Sequence, residues 1–353
     1  MGSVLGTRMS SAGENLGALD LRSDTVTRPT AEMRRAMYEA EVGDDRYGED
    51  PTVRELQELY ASIVGKEAAL FVPSGTMANQ IALRTWTSPG DVVIAGKNQH
   101  VLQYERSGSA VNSSVQIHWV SDERGVLNPS EVEREMTLLE YLGHSLAVVA
   151  VENTHMPSGG RPWELKELKD LRAVTGDTPL HMDGARLFNA SVATGVDPSE
   201  YGRYVDSVMS CVSKGLAAPV GSLLAGTADF IASARDQRQI LGGQMRQAGI
   251  IASAGIVALR SMRERLVEDH RRAGLLADAV VEVFGESCID RASLRTNIVV
   301  FRHETPDALI AEMASHGVLI GSIAPNVVRM VTHNDVSDDD IERAIKVLHR
   351  CAE

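Results

Sequence analysis

The chain has 353 residues, and its 35 Lys and Arg against 48 Asp and Glu leave a formal charge of −13. That balance argues against nucleic acid or an anionic membrane surface as a partner, because both require a basic face. With 43% hydrophobic and 24% charged residues, extensive disorder is excluded, and the length suits one large domain with a smaller one.

Residues 1–17 lack the apolar stretch of a signal peptide, and Gly6 stands where a myristoylation pattern requires Ser or Thr. A flexible tail is expected there. No apolar run is long enough to span a bilayer. Three cysteines (Cys211, Cys288, Cys351), without a CxxC pair, fit a reduced, cytoplasmic setting.

A helix is predicted after Arg28-Pro29-Thr30, ending near Gly43. Asp50-Pro51 opens another, with Asp as N-cap and Pro at the first helical position. Val53, Leu56, Tyr60, Ile63 and Val64 follow helical spacing, and Gly65 closes the helix. Ala68–Val72, Asp91–Ala95, Leu146–Val151, Pro179–Met182 and Val205–Val212 read as strands, with a helix at Thr76–Trp86. Strands apolar on both faces and separated by helices predict a parallel sheet covered on both sides. Ligands of such sheets bind beyond the carboxyl ends of the strands. From Ile251 a long helix is predicted through Asp269, then strands at Thr296–Phe301 and Val327–Val331, with helices near Pro306–His316 and Ser337–Arg350. The expected division is a large domain over 18–260 and a small C-terminal α/β domain over 261–353.

Lys214 follows a buried strand within Ser213-Lys214-Gly215. Taken alone it reads as a lysine reaching water; as a held amine, it is a Schiff-base candidate. Asp183 ends an apolar strand 31 residues earlier, a spacing that suits one strand–helix–strand unit and brings both side chains to one sheet edge. Pyridoxal phosphate needs such a pair, a lysine for its aldehyde and a carboxylate for its pyridine nitrogen. The competing role for Asp183 is an N-cap of the next helix. Ser74-Gly75-Thr76, between a strand and a helix, offers free N–H groups to a phosphate. Nucleotide motifs fail: Gly90 to Gly96-Lys97 is one residue too long for a Walker A loop, and no G-x-G-x-x-G follows a strand. His100 reads either as structural or as a residue stacking on a cofactor ring and acting as a base. The other histidines show no metal-ligand spacing, so no metal is expected. Arg329, inside the strand-like run Val327–Val331, either snorkels or meets an anion such as an α-carboxylate.

Leu19-Asp20-Leu21-Arg22-Ser23-Asp24-Thr25-Val26-Thr27 resembles the opening signature of the L-threonine aldolase family, aspartate-aminotransferase-like (fold type I) pyridoxal phosphate enzymes. The resemblance runs from residue 19 to about 350. It continues through Gly43-Asp44-Asp45, Tyr47–Thr52, Pro73–Gln80, Glu152-Asn153-Thr154-His155, His181–Arg186, Ser213-Lys214-Gly215, Gly242–Gln247 and Arg329–His333. It implies a PLP-dependent transferase-like fold: a mostly parallel seven-stranded sheet plus a small C-terminal α/β domain. It also implies aldol cleavage of a small β-hydroxy-α-amino acid, L-threonine or L-allo-threonine, to glycine and an aldehyde. By the same resemblance Lys214 carries the cofactor, Asp183 pairs with its pyridine nitrogen, His100 stacks on its ring, and Gly75 and Thr76 hold its phosphate. Ser23 and Arg329 bind the substrate carboxylate, and Arg186 serves that carboxylate or the phenolic oxygen. A homotetramer with shared active sites is implied as well. The competing activity on this scaffold is an amino-acid racemase or a β-eliminating lyase.

Two stretches depart from the family pattern. A glycine pair is expected after Tyr104-Glu105, where this chain has Arg106-Ser107-Gly108. A second histidine near the substrate hydroxyl has only His144 as its nearest counterpart. An altered hydroxyl-side pocket is the expectation.

Overall fold

The computed structural model of the chain describes residues 17–351, so the tail expected at 1–17 lies outside them except for Gly17. Strand β1 (Leu19–Asp20) precedes the main sheet, which contains β2 (Ala68–Val72), β3 (Val92–Gly96), β4 (Gln116–Val120), β5 (Leu146–Glu152), β6 (Leu180–Asp183), β7 (Ser207–Cys211) and β8 (Ser222–Gly226). Their order is β2-β8-β7-β6-β5-β3-β4; β8 alone runs against its neighbours, and the other pairings are parallel. Every residue of β3, β6, β7 and β8 is buried. Leaving water contributes about 1.5–3 kcal/mol for each Val, Ile or Leu in them. The continuous apolar pattern that predicted a two-sided sheet is thus what holds it together.

Local signals place the helices. Asp50 accepts the Val53 N–H at 3.0 Å, Pro51 takes the first turn, and Gly65 closes the helix Pro51–Val64 at φ 65°, which only glycine adopts freely. Each parallel crossover returns the chain over the sheet through a helix, so the segments after β2, β3, β5, β6 and β7 emerge at one edge. The active-site candidates of the sequence follow these strands.

The C-terminal elements are β9 (Ile298–Arg302), β10 (Val318–Leu319), β11 (Gly321–Ala324) and β12 (Val327–Val331). β11, β12 and β9 form an antiparallel sheet backed by the helices Leu266–Phe284 and Asp338–Arg350. β1 pairs with β10, and Leu19 and Leu21 are buried among the C-terminal apolar residues. The N-terminal segment therefore bridges the two sheets and carries Ser23 and Asp24 between them.

One prediction is corrected. The single helix expected from Ile251 through Asp269 is two, Gly249–Ser261 and Leu266–Phe284, separated by a turn at residues 262–265. No Gly or Pro marks that turn. Packing imposes it: Met262 and Leu266 both enter the main core, and Arg265 turns to pair with Asp269.

Candidate active site

Lys214 lies three residues beyond β7, on a loop tied to the N-terminal segment by the Thr27 Oγ1 hydrogen bond to its carbonyl at 3.0 Å. Among the described residues its amine has no hydrogen-bond or ion-pair partner. On the adjacent strand, Asp183 is buried at the end of β6. Its Oδ1 accepts the Ala185 N–H at 3.0 Å and its Oδ2 the Asn79 amide at 2.7 Å. It does not cap the following helix, whose N-cap is Arg186. Lys214 and Asp183 line one cavity of about 530 Å³, a size that suits a small-molecule site.

Ser74 starts the helix Gly75–Trp86, its hydroxyl accepting the Met77 N–H at 3.2 Å. The Gly75 and Thr76 N–H groups are left to the cavity, at the positive end of the helix dipole. A Cβ on Gly75 would lie 2.7 Å from Cys211 Sγ and 3.1 Å from the Met209 side chain. Glycine is required for this helix to approach β7 so closely.

His100 begins the turn after β3. Its N–H donates to Glu152 Oε2 at 2.6 Å, its Nδ1 faces Glu105 Oε1 at 3.0 Å, and its ring stacks on Tyr104. Burial works against its charged form, but the Glu105 hydrogen bond and the charges of Asp183, Glu105 and Glu152 outweigh it and raise the imidazole pKa. Glu152 is itself pushed up, chiefly by burial. Beneath them His181 is held down to about 4 by burial, so it is neutral, and it faces Asn79 Oδ1 at 3.1 Å.

On the opposite wall, Arg186 donates through Nε and Nη2 to the two oxygens of Asp24, each at 2.7 Å. Burial alone would raise the Asp24 pKa; the Arg186 charge and hydrogen bonds, then Lys214 and Asn297, hold it well below the usual carboxylate range. Arg329 reaches from β12, giving Nη2 to the Arg22 carbonyl at 2.8 Å. Among the described residues its buried Nε has no partner, and neither does the buried Thr154 hydroxyl beside the same cavity. Leaving such groups unpaired costs about 1–3 kcal/mol each. Ser23 stands nearby, its hydroxyl accepting from Thr25 N and Thr25 Oγ1.

All the residues expected from the sequence, Lys214, His100, Asp183, Arg186, Gly75, Thr76, Ser23 and Arg329, therefore line one cavity. His144 does not: it lines a separate surface cavity with Glu133, Met136 and Glu140. His155 is also elsewhere, buried against Asp122 and Ser158. Asp122 additionally accepts two hydrogen bonds from Asn98, so this group secures the turn that leads to His100. Asp24, Asn79 and Glu105 were not anticipated as site residues, and Glu152 only as part of the strand-end segment Glu152–His155, without a role. The signal for Asn79 was present, since it lies one helical turn past Gly75 and so on the same face.

The residues fit pyridoxal phosphate: an amine without a partner, a buried carboxylate on the next strand, a helix start with free N–H groups, and an unpaired guanidinium nitrogen. His100, Glu105 and Asp183 also bring ligand atoms within 4.8 Å of one another. The Asn79 and Gln80 amides already donate to those carboxylates, which makes the cluster a hydrogen-bond network.

Comparison with known proteins gives a consistent picture. The beta-eliminating lyase family matches residues 20–305. The chain is 42% identical over 330 residues to the low specificity L-threonine aldolase of Escherichia coli (strain K12), covering 92% of this chain and 96% of that one. It is 39% identical over 337 residues to low-specificity L-threonine aldolase 1 of Arabidopsis thaliana, covering 92% and 93%. Among solved structures, Leishmania major threonine aldolase superposes with a TM-score of 0.81 at 18% identity, covering 95% and 100%. A putative L-allo-threonine aldolase from Listeria monocytogenes EGD-E gives 0.78 at 20%, covering 96% and 97%. The likeness to these structures establishes the fold as type I.

Proposed function

The chain belongs to the L-threonine aldolase family, within the beta-eliminating lyases, and from that premise we infer that it cleaves L-threonine and L-allo-threonine to glycine and an aldehyde. The observation that carries this is the convergence of Lys214, Asp183, the Gly75 helix start and Arg329 on one cavity. The cofactor is pyridoxal phosphate, which when bound supplies the electron sink for the pair released as the substrate Cα–Cβ bond breaks.

The roles of the chain's own residues are our proposal. Lys214 holds the cofactor's aldehyde carbon, Asp183 its pyridine nitrogen, and Gly75 and Thr76 its phosphate, while His100 stacks on its ring. Arg329 and Ser23 hold the substrate α-carboxylate, with Arg329 contributing the Nε that the fold leaves unpaired. Holding the carboxylate fixes the rotation about Cα and so selects which of its bonds is aligned for cleavage. Arg186 is committed to Asp24 through two nitrogens, so its Nη1 remains for the cofactor's phenolic oxygen or the same carboxylate. His100 Nε2, free of protein partners among the described residues while Nδ1 faces Glu105, would be the proton acceptor toward the substrate.

Aldehyde release from L-threonine and L-allo-threonine, measured side by side with added cofactor, tests the activity. Release from either is the expected result. A visible cofactor band without aldehyde from either would favour the racemase or β-eliminating alternative. For the cradle, Gly75→Ala forces a Cβ against Cys211, an overpacking of about 1–3 kcal/mol. The expected result is cofactor affinity about tenfold weaker in an absorbance titration; unchanged affinity would remove Gly75 from the phosphate site.

We further propose a homotetramer with shared sites in the cytoplasm. The support is the family resemblance, together with Tyr38 and Tyr47, which are 91% and 72% exposed beside the Gly43–Thr52 motif. Among the described residues no helix is long and apolar enough to cross a membrane. The domain division at residue 260 is likewise a proposal, supported by two separate apolar clusters and by the turn at residues 262–265.

A further inference from the structure

Glu105 has no task in the roles above, yet its carboxylate is the hub of the buried network under His100. Its side chain is fully enclosed. Oε1 accepts from Asn79 Nδ2 at 2.8 Å and faces His100 Nδ1 at 3.0 Å, while Oε2 accepts from Gln80 Nε2 at 2.6 Å. The two amides are fixed in turn: Asn79 also donates to Asp183, and Gln80 accepts from Asn112. Both carboxylate oxygens thus face donors, and an ionised carboxylate is acceptor-only.

The backbone after Glu105 supplies an independent sign. Arg106 and Ser107 take φ of 54° and 59°, the left-handed region that L side chains disfavour. Such conformations persist where the surroundings over-determine them. Here the turn closes through the Gly108 N–H to the Glu105 carbonyl at 2.8 Å and directs the carboxylate inward.

We propose that Glu105 is a positioning residue that fixes His100 with the proton on Nδ1, leaving Nε2 as the atom that exchanges a proton with the substrate. The groups facing the imidazole are Glu105, Asp183 and Glu152, with Tyr104 stacked on it. All three carboxylates favour its charged form, and Glu105 alone among them hydrogen-bonds its ring. Asn79 bridges Glu105 and Asp183, so the residue stacking on the ring and the one pairing with its nitrogen share one support.

This inference rests on the cofactor reading, so the test separates the two. Glu105→Gln keeps the volume but removes the charge and turns an amide N–H toward Gln80 or His100. The first readout needs no cofactor: carbethoxylation of His100, which is one-third exposed, followed by mass spectrometry against pH in the full chain. Because Glu105 raises the His100 pKa, the midpoint is expected to move to lower pH in the variant. In the holoenzyme kcat should fall about ten- to a hundredfold, with KM within about threefold and the acid limb of kcat/KM displaced to lower pH. Glu105→Asp, which keeps the charge, should restore part of the shift, and it serves as the test should the Gln variant not fold. An unmoved midpoint and an unmoved acid limb overturn the role of Glu105. A wild-type chain with no cofactor band and no aldehyde release overturns the functional reading itself.

Discussion

Lys214→Ala is expected to lose the cofactor's visible absorption and to lower aldehyde release by about 10⁴-fold or more, since it removes both the covalent hold and a proton-transfer group. With both proteins freed of cofactor, stability should stay within about 0.5 kcal/mol of wild type, as for other substitutions away from core and caps. The reason is structural: the Lys214 side chain makes no hydrogen bond to the chain among the described residues, and the bond that ties its loop uses its backbone carbonyl. Activity and stability should therefore separate cleanly, measured by aldehyde assay and by denaturant midpoint. A variant that keeps both the absorption and the aldehyde release would defeat the assignment of Lys214. One that loses activity only by unfolding would make Lys214 a structural residue.

The catalytic edge was legible because its residues follow strands whose apolar runs are uninterrupted. Asp183 and Lys214 end or follow β6 and β7, where every strand residue is buried, and the rule that ligands bind beyond such strand ends needs only their positions. β12 was likewise anticipated with its bounds at Val327–Val331. What escaped were elements whose pattern is set by position in the sheet. β4 is an edge strand with Trp119 more than half exposed, so its residues carry no apolar run. β8 has the run, but nothing in Ser222–Gly226 encodes that it lies antiparallel between β2 and β7.

The supporting polar groups were hidden for a different reason. Glu105 and Glu152 stand far apart in sequence and acquire meaning only when the sheet brings the ends of β3 and β5 together. A buried Glu is costly unless paired, yet the sequence does not say which glutamates are buried. The departure at Arg106-Ser107-Gly108 has an explanation in the fold, since the first two residues adopt left-handed backbone without being glycine. No second histidine joins His100 among the described residues that line the cavity, since His144 lies at another surface. That difference bears on threo against allo preference, which the paired substrate assay reads directly.

The largest stability effect is expected at Asp24. It sits on a short N-terminal turn, yet accepts from Arg186 beyond β6 and from Asn297 Nδ2 at 3.1 Å just before β9. It thus joins three distant segments at the cavity wall. Asp24→Ala leaves the Arg186 guanidinium buried without its counter-charge, and breaking a buried pair from one side costs about 3–5 kcal/mol. Against a total of about 5–15 kcal/mol for a typical protein, that is a large fraction. It should appear as a marked fall in denaturant midpoint. Asp24→Asn keeps the volume but turns an amide N–H toward Arg186, so it should fall between the two. The pH dependence follows from the depressed carboxyl. Its folded-state pKa lies below the ordinary value of 3.8, so its contribution is complete above about pH 5 and is lost progressively as pH falls below about 4. The gap between wild type and Asp24→Ala should accordingly be constant near neutrality and narrow in acid. A gap under about 1 kcal/mol at neutral pH, the scale of a solvent-exposed ion pair, would show that Arg186 finds another partner and that the bridge is not what holds Ser23 at the cavity.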